Sequence, residues 1–250
     1  MKAIFTILKR ELKSYFASPI AYIILVVFLV LSGIFFFFYL ESFIKSQFDP
    51  RFQLFREKLN LNEFVIHPYF GTISVVLLFM IPLITMRLIA EERKNFTAEL
   101  LFTSPVRVSQ IVLGKFLASF SLFVLMVVLS AIYLVVLRAY GNPDLGPVLS
   151  AYLGLFLLGG SLISVGLFAS SLTENQIVAA VISFGILLVF WILGASSDAD
   201  NSILGYISVI NHLDNFTKGV IALRDIVYYI SFIFFGLFLT YTIVESQRWR

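Results

Sequence analysis

The sequence predicts an all-α integral membrane protein with six spanning helices. Three observations carry that prediction. Apolar residues make up 60% of the 250-residue chain and charged residues only 13%, where a soluble domain holds roughly 45–50% and about 25%. The charges cluster in stretches that separate long apolar runs. The 28 Phe and 11 Tyr suit lipid-facing and interfacial positions better than an aliphatic soluble core. A net charge of +3, divided among several segments, leaves no footprint for nucleic acid. With no cysteine, two histidines and four methionines, disulfide frameworks, thiol catalysis and Cys-based metal sites are excluded, and little remains for a copper or zinc route.

Residues 1–18 place Ile4, Phe5, Leu8, Leu12 and Phe16 on one helical face and Lys9, Arg10 and Lys13 on the other. This reads as an elbow helix lying on the cytoplasmic leaflet and feeding the first span. A full-length apolar run follows it, not the short core and small-residue site of a cleavable signal. Residues 19–40 are uncharged and long enough to cross at about 1.5 Å per residue. Residues 41–68 mix charges with Phe43, Phe48, Phe52, Phe55 and Phe64, an external segment with an amphipathic helix on the membrane, closed by His67 and Pro68. The second span covers about 69–86, with Pro82 as a kink near its inner end.

A charged loop, 87–110, comes next. The third span takes about 111–137, and a turn-rich external loop over 138–147 leads to the fourth, about 148–172. That span carries Gly154, Gly159, Gly160, Ser161, Ser164 and Gly166, small residues that let helices approach closely and so place it inside the bundle. After a short inner turn at 173–176 the fifth span runs to about 195. Residues 196–226 are external again, the sixth span takes about 227–244, and Trp249 among arginines forms an interfacial anchor. Lys2, Lys9, Arg10, Lys13, Arg87, Arg93, Lys94, Arg107, Lys115, Arg248 and Arg250 then lie inside, eleven of the eighteen Lys and Arg. The positive-inside bias puts both termini in the cytoplasm.

No span carries an ionisable residue at its middle, where secondary transporters keep a proton or substrate relay. No Gly-x-x-x-x-Gly-Lys-Ser/Thr occurs either, so the chain cannot cradle ATP phosphates itself. Energy must come from outside the membrane and from another protein.

The 87–110 loop is the chemical centre of the chain. Asn95 reads as the N-cap of a short amphipathic helix, Glu99 sits near its positive end, and Pro105 stops it. Phe96, Leu100 and Phe102 form an apolar patch that needs a partner to cover it. Glu91 and Glu92 fall at the negative C-terminal end of the second span and call for compensation by Arg87, Arg93 or a partner's basic surface; a solvated charge cluster is the alternative. A Glu-Glu of membrane-embedded proteases does not fit. Phe96 stands where their arginine would be, and His67 and His212 both lie in external segments. Glu174 and Asn175 are read either as a second inner contact or as a plain turn.

Ile84-Thr-Met-Arg87, Ala90-Glu-Glu92, Thr97-Ala-Glu-Leu-Leu101, Thr103-Ser-Pro105 and Gln110-Ile-Val-Leu-Gly-Lys115 resemble the coupling-helix loop of type-2 ABC transporter permeases. Within that superfamily they are most similar to the gliding-motility-associated permease subunits. Ser18-Pro-Ile-Ala-Tyr22, Gly166-Leu-Phe-Ala-Ser-Ser-Leu-Thr173, Asn175-Gln-Ile-Val-Ala179 and Phe216-Thr-Lys-Gly-Val-Ile221 extend the likeness over nearly the whole chain. One departure stands out: Phe96-Thr97 replaces the family's Gly-Thr before Glu-Leu-Leu, so the turn there must be built without glycine.

The resemblance implies a coupling helix that docks on a separate ABC ATPase subunit, with ATP and Mg on that partner and no cofactor, metal or catalytic residue in this chain. It assigns ATPase coupling to Glu91, Glu92, Arg93, Phe96, Thr97, Glu99, Leu100, Leu101 and Pro105, with Glu174 and Asn175 as a second inner contact. It also implies short re-entrant helices in 196–226, a second permease copy or related permease, and a place in the bacterial cytoplasmic membrane. An auxiliary envelope protein is a further candidate partner. Lipids, lipid-linked saccharides, peptides and drugs all remain open as cargo. A non-transporting subunit that transmits ATPase-driven force to an envelope assembly is the alternative.

Overall fold

The computed structural model describes residues 2–48, 60–97, 106–193 and 208–248. Among them every regular element is helical, which makes this an all-α integral membrane protein. The helices are α1 (Lys2–Ala17), α2 (Pro19–Phe48), α3 (His67–Thr85), α4 (Ala90–Lys94), α5 (Val108–Tyr140), α6 (Leu145–Leu172), α7 (Gln176–Ile192), α8 (Val209–Thr217) and α9 (Leu223–Arg248). Five stretches are long and apolar enough to cross a bilayer, those of α2, α3 with its flanks, α5, α6 and α9; α7 is a shorter apolar helix of 17 residues, roughly 26 Å at about 1.5 Å per residue.

Several elements depart from the pattern-based limits. α2 continues unbroken to Phe48, well past residue 40, because nothing in Leu40–Phe48 interrupts helical geometry: Lys45 pairs with Glu41 one turn back, N to O 2.6 Å. A wide π-helical turn, Asn62–Ile66, runs directly into α3. α5 begins at Val108, inside the stretch read as loop, and α9 begins at Leu223. Residues 49–59, 194–207 and the tail carrying Trp249 and Arg250 lie outside the described residues.

α6 is the axis of the bundle, packed by α3, α5, α7, α8 and α9. Its small residues make that possible. A Cβ on Gly159 would lie 2.2 Å from ring atoms of Phe123, and one on Gly166 would lie 2.1 Å from Thr85 Oγ1. Leu155, Leu158, Ile163 and Leu167 of the same helix are buried among Phe123 and Met126 of α5 and Leu77 and Ile81 of α3. α9 and α2, by contrast, turn rows of large apolar side chains outward: Val227, Ile230, Phe234 and Phe238 on one, Val26, Val30, Phe37 and Phe38 on the other. Such rows are stable only against lipid or another apolar surface.

α1 packs against the start of α5, but with a face different from the one periodicity suggested. Ile7 and Tyr15 are buried and Glu11 is partly buried, whereas Phe5 and Phe16 are exposed. The apolar count on a helical wheel does not register that Glu11 has a buried cation to meet.

Side-chain bonds sort the elements between the two ends of the bundle. At the end opposite α1, the Asn62 side chain clasps the backbone of Asp144, donating to its carbonyl (3.1 Å) and accepting from its amide (3.2 Å). α8 is held there from two sides: His67 Nε2 lies 2.7 Å from Asp214 Oδ1, and His212 Nδ1 lies 2.6 Å from Asp225 Oδ1 at the head of α9. Lys218 also pairs with Asp214, and Ser208 caps α8 by accepting from the Asn211 amide.

Candidate functional site

The candidate site is the junction at the α1 end, where α1, the 86–97 segment, α5, α6 and α7 meet. It begins with a fault in the second span. α3 ends at Thr85, residues 86–89 form a turn, and α4 starts at Ala90. Pro82 cannot donate to the carbonyl four residues back, which weakens the ladder ahead of the fault. The amides of Ile89 and Ala90 both donate to Ser170 Oγ on α6 at 3.1 Å, and that hydroxyl donates to the Met86 carbonyl at 2.9 Å. One buried serine thus satisfies both sides of the fault.

Glu91 and Glu92 consequently lie in the first turn of α4, near the positive end of a new helix and not at the negative end of α3 as the uninterrupted reading had it. Glu92 is compensated by residues distant in sequence. Its carboxylate pairs with Arg10 of α1 and, through Oε2, with Lys115 Nζ at 3.0 Å. Lys115 is 1% exposed. It also meets Glu11 Oε1 at 3.0 Å and donates to the Leu88 carbonyl at 2.6 Å, while Arg10 closes the set by reaching Glu11 at 2.8 Å. Two cations and two anions therefore neutralise one another across α1, α4 and α5. Burial pushes the Glu11 carboxyl up, but the Lys115 charge and the bonds from Arg10 and Lys115 outweigh it and hold it below its ordinary range.

The compensators expected for the glutamates serve elsewhere. Arg87 lies over the Tyr15 ring, 4.4 Å from its centroid, and the Tyr15 hydroxyl donates to the Ile84 carbonyl at 3.0 Å. Arg93 reaches α6 and the turn after it, donating to the Ser171 carbonyl at 3.1 Å and to Glu174 Oε1 at 2.9 Å. Gln247 of α9 donates to that same Ser171 carbonyl at 3.1 Å. Arg93 and Glu174, placed in two separate inner contacts by sequence, are joined here. Asn175 caps α7, its Oδ1 accepting from the Ile177 amide at 2.9 Å. Lys94, Glu174, Asn175, Gln176 and Ile177 line an open cavity of about 440 Å³ beside this contact.

Asn95 ends a helix where it was expected to start one. It is the C-cap of α4. Phe96 follows with φ 57°, its amide donating to Arg93 O at 3.1 Å while the Thr97 amide donates to Glu92 O at 3.0 Å. These two bonds make a Schellman turn, with phenylalanine in the left-handed position that glycine usually fills. The turn is built without glycine after all, and its consequence is visible: the Phe96 ring is 76% exposed. Glu91 and Thr97 lie on the same exposed rim. Glu99, Leu100, Leu101 and Pro105 lie outside the described residues.

Sequence reasoning missed Arg10, Glu11, Lys115 and Ser170. Lys115 enters the sequence reading as one of the inside basic residues, although its position at the opening of an apolar run, eight residues into α5, is a usable signal. Ser170 gave none, being one of many serines on an apolar helix. Hydroxyls on the spanning helices mostly bond their own helix: Ser74 to Gly71 O at 2.6 Å, Ser161 to Leu157 O at 3.1 Å and Ser164 to Ser161 O at 2.7 Å. Thr72 instead meets Tyr39 of α2 at 2.7 Å.

What this geometry can do is mechanical. It joins an exposed, charged rim to three packed helices, α1, α5 and α6, through ion pairs centred on the buried Lys115 and through one buried hydroxyl. Compared with known families, residues 5–243 match the family described as ABC-2 family transporter protein. None of the curated proteins compared with the chain matches it.

Proposed function

The chain belongs to the ABC-2 transporter family, and from that premise we propose that it is the membrane-spanning permease subunit through which a separate ABC ATPase drives export of a substrate across the bacterial cytoplasmic membrane. The observation that carries the reading is the junction around Glu92. A rim formed by Glu91, Phe96 and Thr97 projects from the bundle, while Glu92 and Arg93 beside it are tied to α1, α5 and α6. A push on that rim therefore reaches the bundle. Residues 87–110 serve as the coupling loop, Glu174 with Asn175 as the second inner contact, and both termini face the cytoplasm.

The outward apolar rows of α2 and α9 support pairing with a second copy or a related permease, with lipid covering the rest. The gliding-motility-type likeness of the loop motifs favours that branch of the family. ATP and Mg belong to the partner.

Affinity purification of the tagged chain from its native membrane in mild detergent tests the reading. Recovery of a soluble ABC ATPase, lost when Glu91, Arg93 and Phe96 are replaced together by alanine, is the expected result. A chain that purifies without an ATPase in several detergents overturns it. ATP-dependent capture of an envelope protein, with no flux in reconstituted vesicles, would reassign the subunit to force transmission.

A further inference from the structure

The fault at 86–89 separates the 90–97 segment from the second span to which it is covalently joined. No continuous helix carries a displacement of that segment back along α3. Backbone bonds still cross the turn, Leu88 N to Thr85 O at 3.1 Å and Glu91 N to Arg87 O at 3.3 Å, but the Met86 carbonyl and the Ile89 and Ala90 amides turn to Ser170 instead. A hydroxyl offers one donor and two acceptor lone pairs, and here all three are used, on Met86 O, Ile89 N and Ala90 N. The residue is 0% exposed, so water cannot take its place. Arg93 adds a second attachment to the same helix end through the Ser171 carbonyl. Gly166, one turn earlier on α6, lets Thr85 pack directly against the backbone just before the fault.

We propose that Ser170 is a positioning residue for coupling: it fastens the 90–97 segment to α6, so that the segment moves as a body with the fourth span and hinges against the second. This rests on the permease reading above and names the helix that receives the motion. α6, at the centre of the bundle and in contact with α3, α5, α7, α8 and α9, is the element through which a local push becomes a global one. Losing the hydroxyl leaves two buried amides and one carbonyl unpaired, each a substantial penalty, and loosens the segment on α6, where Arg93 becomes its remaining attachment, without touching its exposed rim.

The natural absence of cysteine makes spin labelling direct. Label pairs at Lys94→Cys with Leu172→Cys, and at Lys94→Cys with Phe79→Cys, report the segment against α6 and against α3, all three sites being exposed. In the purified chain alone, the 94–172 distance distribution should be narrow, broaden at least about twofold in Ser170→Ala, and narrow again in Ser170→Thr, as expected of a local opening governed by one contact. In the complex with the recovered ATPase, nucleotide should shift the 79–94 distance and leave 94–172 in place. An unchanged 94–172 width in Ser170→Ala, a width that threonine does not restore, or a nucleotide-driven change in 94–172 with 79–94 constant overturns the proposal. Recovery of the ATPase itself bears only on the permease reading, since the widths in the isolated chain decide the role of Ser170 without it.

Discussion

The ammonium of Lys115 and the carboxylate of Glu92 form an ion pair at 3.0 Å, although one residue belongs to an apolar spanning helix and the other to the exposed-rim segment. Lys115 is shared with Glu11 at the same distance. Replacing it with methionine keeps the volume but leaves two partly buried carboxylates facing each other. Breaking a buried pair in this way costs about 3–5 kcal/mol, and Arg10 offsets only part of that from its half-exposed position. Lys115→Met should therefore lower the thermal unfolding midpoint in detergent markedly, and adding Glu11→Gln should recover part of the loss. A midpoint equal to wild type would show that the network contributes nothing to stability.

Phe96 invites the opposite change. A non-glycine residue in the left-handed region costs about 1–2 kcal/mol, and this one holds a bulky ring in solvent. Phe96→Gly should stabilise the α4 turn by about 1 kcal/mol, the gain being reduced by the extra freedom glycine has when unfolded. If the ring is a contact for the ATPase, the same variant should capture less of it. Stability measured by thermal unfolding and capture measured by pull-down should thus move in opposite directions. Parallel movement would mean that Phe96 shapes the turn and nothing more.

These residues also show what could be read from sequence and what could not. Apolar runs and the glycines of 154–166 announce membrane helices and a tightly packed fourth one, because length and side-chain size act locally. Asn95 misled because asparagine serves at either end of a helix, and the choice between them was made by the fault at 86–89. That fault is held by Ser170, some eighty positions away, and no pattern near Met86 reports it. Lys115 and Glu92 each look solvated in their own segments. Only the fold, which brings the 88–92 segment and α1 together at the start of α5, makes them partners.

At the other end of the bundle, Asp214 is held down to about 2 by the hydrogen bond from His67, with burial opposing and Lys218 adding to the effect. A carboxyl whose folded value lies below its ordinary 3.8 stabilises the fold above that ordinary value and loses the contribution as pH falls towards the folded one. The anchoring of α8 to the start of α3 should therefore weaken between about pH 4 and about pH 2. Asp214→Asn should be less stable than wild type at pH 5, with the gap in unfolding midpoint closing as the pH approaches 2. A gap that stays constant over that window would remove Asp214 as the titrating group.

The packing of α6 can be tested where it is tightest. A methyl on Gly159 would lie 2.2 Å from the Phe123 ring, and Phe123 is fully buried, so the ring has no free space to enter. Overpacking of this kind costs about 1–3 kcal/mol. Gly159→Ala should lower the unfolding midpoint, and so should Phe123→Leu, which opens a gap. Combined, the two changes meet: the methyl takes some of the volume that the ring gives up, and the double variant should lose less than the sum of the single losses. Strict additivity would mean that the helices had already moved apart in Gly159→Ala, relieving the clash by displacement of α5 from α6 and not by a change in the ring.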